Sequence, residues 1–186
     1  INLARFGKNP FVHRVLELLL GHEPENRSVE AAREAFELTR QEYEPSARFK
    51  ALALSPDGTE AFFKDSRELV NGYYRMENPR NAKIIGLELR LDSDFGKFKL
   101  GGIIDRLEYN EKNELVVSDY KTGKPPDARF GANKMDNMHI YASLCLRERG
   151  ELPKRLRLMY LKTSTPIEVE VTPESNAACE AAAIQT

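Results

Sequence analysis

The chain has only two cysteines, Cys145 and Cys179, and they form no CxxC pair. That excludes a disulfide framework and makes a reducing, cytoplasmic setting the default expectation. No apolar run approaches the length of a membrane span, so no membrane partner is expected. The opening INLARFGKNP lacks a Met and shows no signal-peptide pattern. With the alanine-rich end EAAAIQT, it suggests a fragment of a longer protein. An excess of charge of one sign is missing too: 28 Lys and Arg stand against 29 Asp and Glu, a formal net charge of −1. Such a balance gives no global attraction to nucleic acid and argues against a wholly electrostatic binder. It leaves room for a local basic groove. GxSxG, HExxH and GxGxxG are absent. TGK at 122–124 is no phosphate loop, because Pro125 stands where Ser or Thr is needed and the earlier Gly is missing. No repeat or low-complexity segment appears apart from the alanine-rich tail.

What is present suits one soluble domain: 186 residues, 41% hydrophobic and 31% charged. PFVHRVLELLL, near 10–20, reads as an amphipathic helix with Val12, Val15, Leu16 and Leu19 on one face. Gly21 is its stop signal. Ser28 caps a second helix reaching about Tyr43, and SPDGTE at 55–60 reads as a turn. FFKDSRELVNGYYRM, near 62–76, reads as a third helix. The texture then changes. AKIIGLELRLD, KFKLGGIIDRLEY and ELVVSDYKT read as three antiparallel strands. After the loop GKPPDARFGANK, MDNMHIYASLCLRERG reads as a helix, and RLRLMYLKT and PIEVEVT as two more strands. The expectation is an α/β (α+β) fold with a mixed central sheet flanked by helices. Residues 1–80 form its mainly helical part; residues 81–172 form its sheet core, with one hairpin and one helix.

The most informative stretch is GGIIDRLEYNEKNELVVSDYKTGK, residues 101–124. Side chains alternate along a strand. Ile103, Asp105 and Leu107 therefore share one face, as do Leu115, Val117, Asp119 and Lys121. If Tyr109 pairs with Leu115, Asp105 lies opposite Asp119, and two carboxylates so placed repel. A hard divalent cation, Mg²⁺ or Mn²⁺, would relieve that conflict, and the Tyr120 carbonyl could add an oxygen ligand. Lys121 beside it could orient water or stabilise an anionic transition state. The bland alternative is a solvated hairpin whose charges face water. Against it, a strand entered through Val116 and Val117 should not end in Asp and Lys on its core side without a partner.

Gly102-Ile103-Ile104-Asp105 followed by Asp119-Tyr120-Lys121-Thr122 resembles the RecB-like branch of the PD-(D/E)xK nuclease superfamily, which includes CRISPR-associated exonuclease-like proteins. The match is specific over these two dozen residues and weaker from about Phe6 to Lys162. The resemblance implies a restriction-endonuclease-like core and a DNA nuclease with Asp105, Asp119 and Lys121 as catalytic residues. It implies His13 as a further metal ligand, because His13, Leu16 and Glu17 fit the family's H-x-x-L-E, with Gly7 set further back than usual. A surface or core-edge histidine is the alternative. Asn137 and Tyr141 stand where the family has Q-x-x-x-Y, with Asn replacing Gln. Such a pair could hold a phosphate or stack on a base of single-stranded DNA; otherwise it packs the helix. Glu88 often has a counterpart on the strand before the hairpin.

Lys124, Arg129 and Lys134 could line a DNA path, and Lys154, Arg155 and Arg157 form a second basic cluster; charge runs are more often solvated faces. Two cysteines cannot supply the four ligands of the iron–sulfur cluster some relatives carry. By resemblance, the activity expected is exonucleolytic, on DNA that is single-stranded or has free ends, in recombination, repair, phage or CRISPR processing, with a possible helicase partner. A nuclease fold that grips DNA without cutting it, within a helicase–nuclease assembly, is the competing expectation.

Overall fold

The computed structural model describes residues 9–96, 99–125 and 132–185; within the last two helices, the side chains described are those of 138–149 and 173–181. Helices α1 (Pro10–Leu20), α2 (Val29–Tyr43), the short α3 (Ala47–Lys50) and α4 (Pro56–Met76) come first. Strands β1 (Lys83–Asp94), β2 (Lys99–Tyr109) and β3 (Leu115–Lys121) follow. Helix α5 (Ala132–Arg149), strands β4 (Arg155–Tyr160) and β5 (Thr165–Glu170), and helix α6 (Pro173–Gln185) complete the order.

The helices begin where polar side chains satisfy their first amides. The Asn9 side chain accepts from Phe11 N and Val12 N at 3.1 and 3.4 Å, with Pro10 in the first turn of α1. Ser28 accepts from Ala31 N at 3.1 Å at the start of α2. SPDGTE is not a turn. Ser55 Oγ accepts from Gly58 N at 3.1 Å, and Pro56 opens α4. Proline and glycine suit a first helical turn as well as a loop, which is why the segment misleads. The alanine-rich tail likewise folds as α6.

The five strands lie in the order β1-β2-β3-β4-β5. The β1–β2, β2–β3 and β4–β5 pairs are antiparallel, and β3–β4 is parallel. Helix α5 supplies the crossover that a parallel pair requires. The result is the mixed sheet flanked by helices that the sequence implies. Helices α1, α2 and α4 share one apolar cluster, which includes Phe11, Phe36, Phe63, Tyr73 and Tyr120. Helix α5 shares the other with Leu107, Val117, Leu156 and Leu158 of the sheet. Phe11, Val15, Leu16 and Leu19 of α1 are wholly buried, each contributing roughly 1.5–3 kcal/mol. That anchoring holds the helix carrying His13 against the sheet. Helix α4 approaches backbone to backbone: a Cβ at Gly72 would lie 1.9 Å from the Leu161 carbonyl oxygen.

Candidate active site

Tyr109 pairs with Leu115 and Arg106 with Ser118, so the β2–β3 hairpin has the register expected from its alternation. Asp105 and Asp119 follow next along the two strands, each 3% exposed. The hairpin is therefore not solvated at this end. Burial of a carboxylate demands compensation, and two different partners supply it. For Asp105, Oδ2 accepts the Tyr120 amide at 2.8 Å and stands 3.1 Å from His13 Nε2. For Asp119, Oδ2 stands 2.6 Å from Lys121 Nζ. Lys121 itself remains partly open to solvent, its side chain 27% exposed.

His13 is 4% exposed and joins α1 to the sheet. Its Nδ1 lies 2.9 Å from the Asn9 carbonyl oxygen. A carbonyl can only accept, so Nδ1 carries a hydrogen. Nε2 then faces Asp105 in one of two states: as the second N–H of an imidazolium, or as a lone pair aimed with the carboxylate at a shared cation. A backbone carbonyl that fixes the distal nitrogen is the usual outer support of a metal-bound imidazole.

The donor types fit a hard cation: two carboxylates, an imidazole and the Tyr120 carbonyl. Their arrangement is two adjacent pairs, His13 with Asp105 and Lys121 with Asp119. Among the described residues, no group of three or more His, Cys, Asp and Glu side chains is gathered to hold a metal ion.

Tyr120, between the two acidic pairs, is fully buried and held on every side. Its hydroxyl lies 3.4 Å from Arg106 Nη1, and its ring meets the His13 ring edge-on at 5.8 Å between centroids. Burial pushes its hydroxyl pKa well up, against the pull of Arg106, so the phenol stays protonated. Arg106 is 0% exposed and donates to both carboxylate oxygens of Glu77, the latter at the end of α4, and to Glu108 at 2.7 Å. Sequence reasoning missed this arginine, because a charge on a strand gives no sign of a partner 29 residues away. Asn9 was also missed, although an Asn before Pro and an apolar run is a legible cap. A third omission is Tyr160. It is 1% exposed and pairs with Lys121 across the parallel strands. Burial, and then the Asp119 carboxylate, raise its hydroxyl pKa.

Glu88 sits in β1 with φ +45°, between Leu87, paired with Arg106, and Leu89, paired with Ile104. Counting along the ladder brings it level with Asp105. A left-handed residue inside a strand costs about 1–3 kcal/mol and clusters at functional sites.

Tyr141 is 8% exposed on α5, and a Cβ at Gly102 would lie 2.6 Å from its Cε1. The glycine of GxxD thus makes room for the tyrosine ring. At 8% exposure the ring is packed against the sheet. The side chains of Asn137 and Lys134, and all of Arg129, lie outside the described residues; Lys124 is exposed. The second basic cluster is neutralised. Lys154 pairs with Glu170 at 2.9 Å, Arg155 with Glu114 at 3.3 Å, and Arg157 with Glu108 at 3.2 Å and with Glu168. Cys145 is buried and free, in keeping with a core role.

The model of the PD-(D/E)XK nuclease superfamily matches residues 4–185. The chain belongs to that superfamily. As a superfamily member it has the expected fold, and nucleases of this kind generally use divalent metals. A Eubacterium rectale protein, designated "Putative exonuclease" in its crystal structure, aligns with a TM-score of 0.53 at 10% identity, over 95% of this chain. This chain spans only 64% of that protein's length. The crystal structure of SSO0001 aligns at 19% identity over 92% of this chain and 74% of its own, with a TM-score of 0.40. No curated protein matches the chain. No helix among the described residues is long and apolar enough to cross a membrane.

Proposed function

We propose that this chain is a metal-dependent deoxyribonuclease of the RecB-like branch, acting as an exonuclease on DNA with free or single-stranded ends. The observation that carries the proposal is the pair of buried contacts at the hairpin: His13 Nε2 on Asp105 Oδ2 at 3.1 Å, beside Lys121 Nζ on Asp119 Oδ2 at 2.6 Å. The exonuclease and RecB-like assignments rest on the resemblance around GxxD and DYKTGK. So do the recombination, repair, phage or CRISPR setting, the helicase partner and a cytoplasmic location.

His13, Asp105, Asp119 and the Tyr120 carbonyl would hold Mg²⁺ or Mn²⁺, with Glu88 as support, in a chain acting as one nuclease domain. The chemistry so supplied would be a lowered pKa for water and charge neutralisation at the phosphodiester. The protein's own residues do the rest. Asn9 holds His13 with Nε2 toward Asp105. The Tyr120 amide fixes one oxygen of Asp105. Lys121, the most exposed of the group, donates to the attacking water or to a non-bridging phosphate oxygen as negative charge builds there. Asp119 keeps its ammonium group in place. The Tyr141 hydroxyl and Asn137 hold the phosphate chain. Water forms the new P–O bond and gives up a proton to solvent; the bond to the sugar oxygen breaks, and that oxygen leaves with the electron pair and takes up a proton from solvent.

The test is incubation of end-labelled single-stranded, double-stranded and circular DNA with Mg²⁺ or Mn²⁺. Cleavage of linear DNA is expected, with EDTA abolishing it. Lys121→Ala should reduce the rate by roughly 10²-fold or more, as loss of a charge-stabilising donor does, with an unchanged circular dichroism spectrum. Undiminished cleavage by that variant would sink the mechanism. A second reading is favoured by the two-pair arrangement of the ligands: a module that grips DNA without cutting it. It requires equal DNA affinity with and without EDTA, and no turnover.

A further inference from the structure

Helices α2 and α4 leave a groove of about 670 Å³ that contains none of the residues assigned above. Its floor is apolar: Val29, Ala32, Phe36 and Val70. Val29 is 49% exposed, unlike the three others, which are all nearly buried. The rim is basic. Arg33, Arg67 and Arg75 line it, with Glu37 as the one acidic side chain. Glu37 reaches Arg67 only at 3.5 Å between exposed groups, a contact of little energy. The lining side chains carry an excess of two positive charges, with Glu30 nearby acting on Arg33 and Tyr74, in a chain whose overall charge is −1.

We infer that this groove is a docking site for an acidic segment of a partner protein that inserts a large apolar side chain between α2 and α4. The arginines select the sign of the partner, and Val29 with the floor beneath it selects an apolar anchor. Single-stranded nucleic acid also carries negative charge, and it gains affinity by stacking bases on open aromatic faces. Here Arg67 lies over the Phe36 ring at 4.7 Å, and Tyr74 donates its hydroxyl to the Ser28 carbonyl at 2.9 Å. With the Phe36 ring covered, Val29, Ala32 and Val70 are the aliphatic contacts left for a leucine or phenylalanine side chain. Phe36 also meets Phe11 of α1 edge-on at 4.9 Å, which ties the floor to the core.

The experiment is selection of a displayed random-peptide library against the whole chain, followed by fluorescence anisotropy of the enriched peptides. It does not depend on DNA cleavage, so failure here and failure of the nuclease reading are separate results. Enriched peptides should combine a large apolar residue with two or more acidic residues, and bind more weakly as salt rises. Val29→Asp places an acid in the first turn of α2, where helices favour it, so the fold is kept. It and Arg33→Glu should each weaken binding by about tenfold or more, the equivalent of one lost anchor. No enrichment, enriched peptides without acidic residues, or binding indifferent to both variants would overturn the inference. Competition by a single-stranded oligonucleotide lost in Arg33→Glu would instead assign the groove to nucleic acid. A fall in sedimenting mass in Val29→Asp would assign it to a second copy of this chain, and either result overturns the peptide.

Discussion

At the scale of single residues, burial of charge is the dominant cost, and each buried charge is placed by a different neighbour. Asp105 is satisfied by an amide one strand away and an imidazole one helix away. Gly102 shows the converse, a position chosen for having no side chain. Gly102→Ala would put a methyl 2.6 Å from the Tyr141 ring. Overpacking of this kind costs roughly 1–3 kcal/mol, which urea denaturation would measure. The double variant with Tyr141→Leu should recover part of the loss, and strict additivity would show that the two do not touch. The Cys145 thiol is pushed up to about 12 by burial. A thiol reagent at neutral pH should therefore modify the partly exposed Cys179 while leaving Cys145 unreacted until the chain unfolds. Alternation placed the two carboxylates and the lysine on matching strand faces, and the resemblance around GxxD and DYKTGK gave them their candidate roles. Arg106 and Tyr160 were not legible, because their roles depend on what lies across the fold; Asn9 was legible as a helix cap but not as the support of His13.

At the scale of elements, the end of α4 is tied to β2 through Arg106 and Glu77. Burial pulls the Glu77 carboxyl upward, but Arg106, Tyr73 and Arg157 pull it down further, leaving it below its ordinary value of 4.5. A lowered folded pKa means stability that is fully present above the unfolded value and lost as pH falls through the folded one. Denaturation midpoints should thus drop as pH falls below about 4.5, and Glu77→Gln should flatten that slope while lowering stability at neutral pH. An unaltered slope would remove Glu77 from the account. Arg106→Leu leaves Glu77 and Glu108 with only the more distant Arg157 at 3.5 and 3.2 Å and should cost about 3–5 kcal/mol. SPDGTE shows how an element is misread: the residues of a turn are also those of a capped first helical turn, and only the continuation into buried Phe63 and Ser66 decides between them.

At the scale of the whole molecule, two apolar clusters on either side of the sheet bring the helix carrying His13, the hairpin and α5 to one place. Gly72 governs how closely α4 can lie. Gly72→Ala would drive a methyl into the Leu161 carbonyl at 1.9 Å. Backbone has no rotamer to relieve such a contact. The variant should therefore lose a few kcal/mol and weaken Mn²⁺ binding by calorimetry as the helical layer shifts. Retention of both would separate the layer's packing from the site.

By itself, the sequence determined the strands, the hairpin register and the candidate chemistry of Asp105, Asp119 and Lys121, because period-two alternation and turn residues are local signals. It also marked His13 and Tyr141, through spacing that resembles a known pattern. Only the tertiary structure decided which groups are paired: His13 with Asp105, Lys121 with Asp119, Arg106 with the end of α4, and Tyr141 with Gly102. Except for Lys121 with Asp119, those pairings join residues far apart in the chain, and burial makes each partner necessary by desolvating the charge it meets, which no local pattern of residues records.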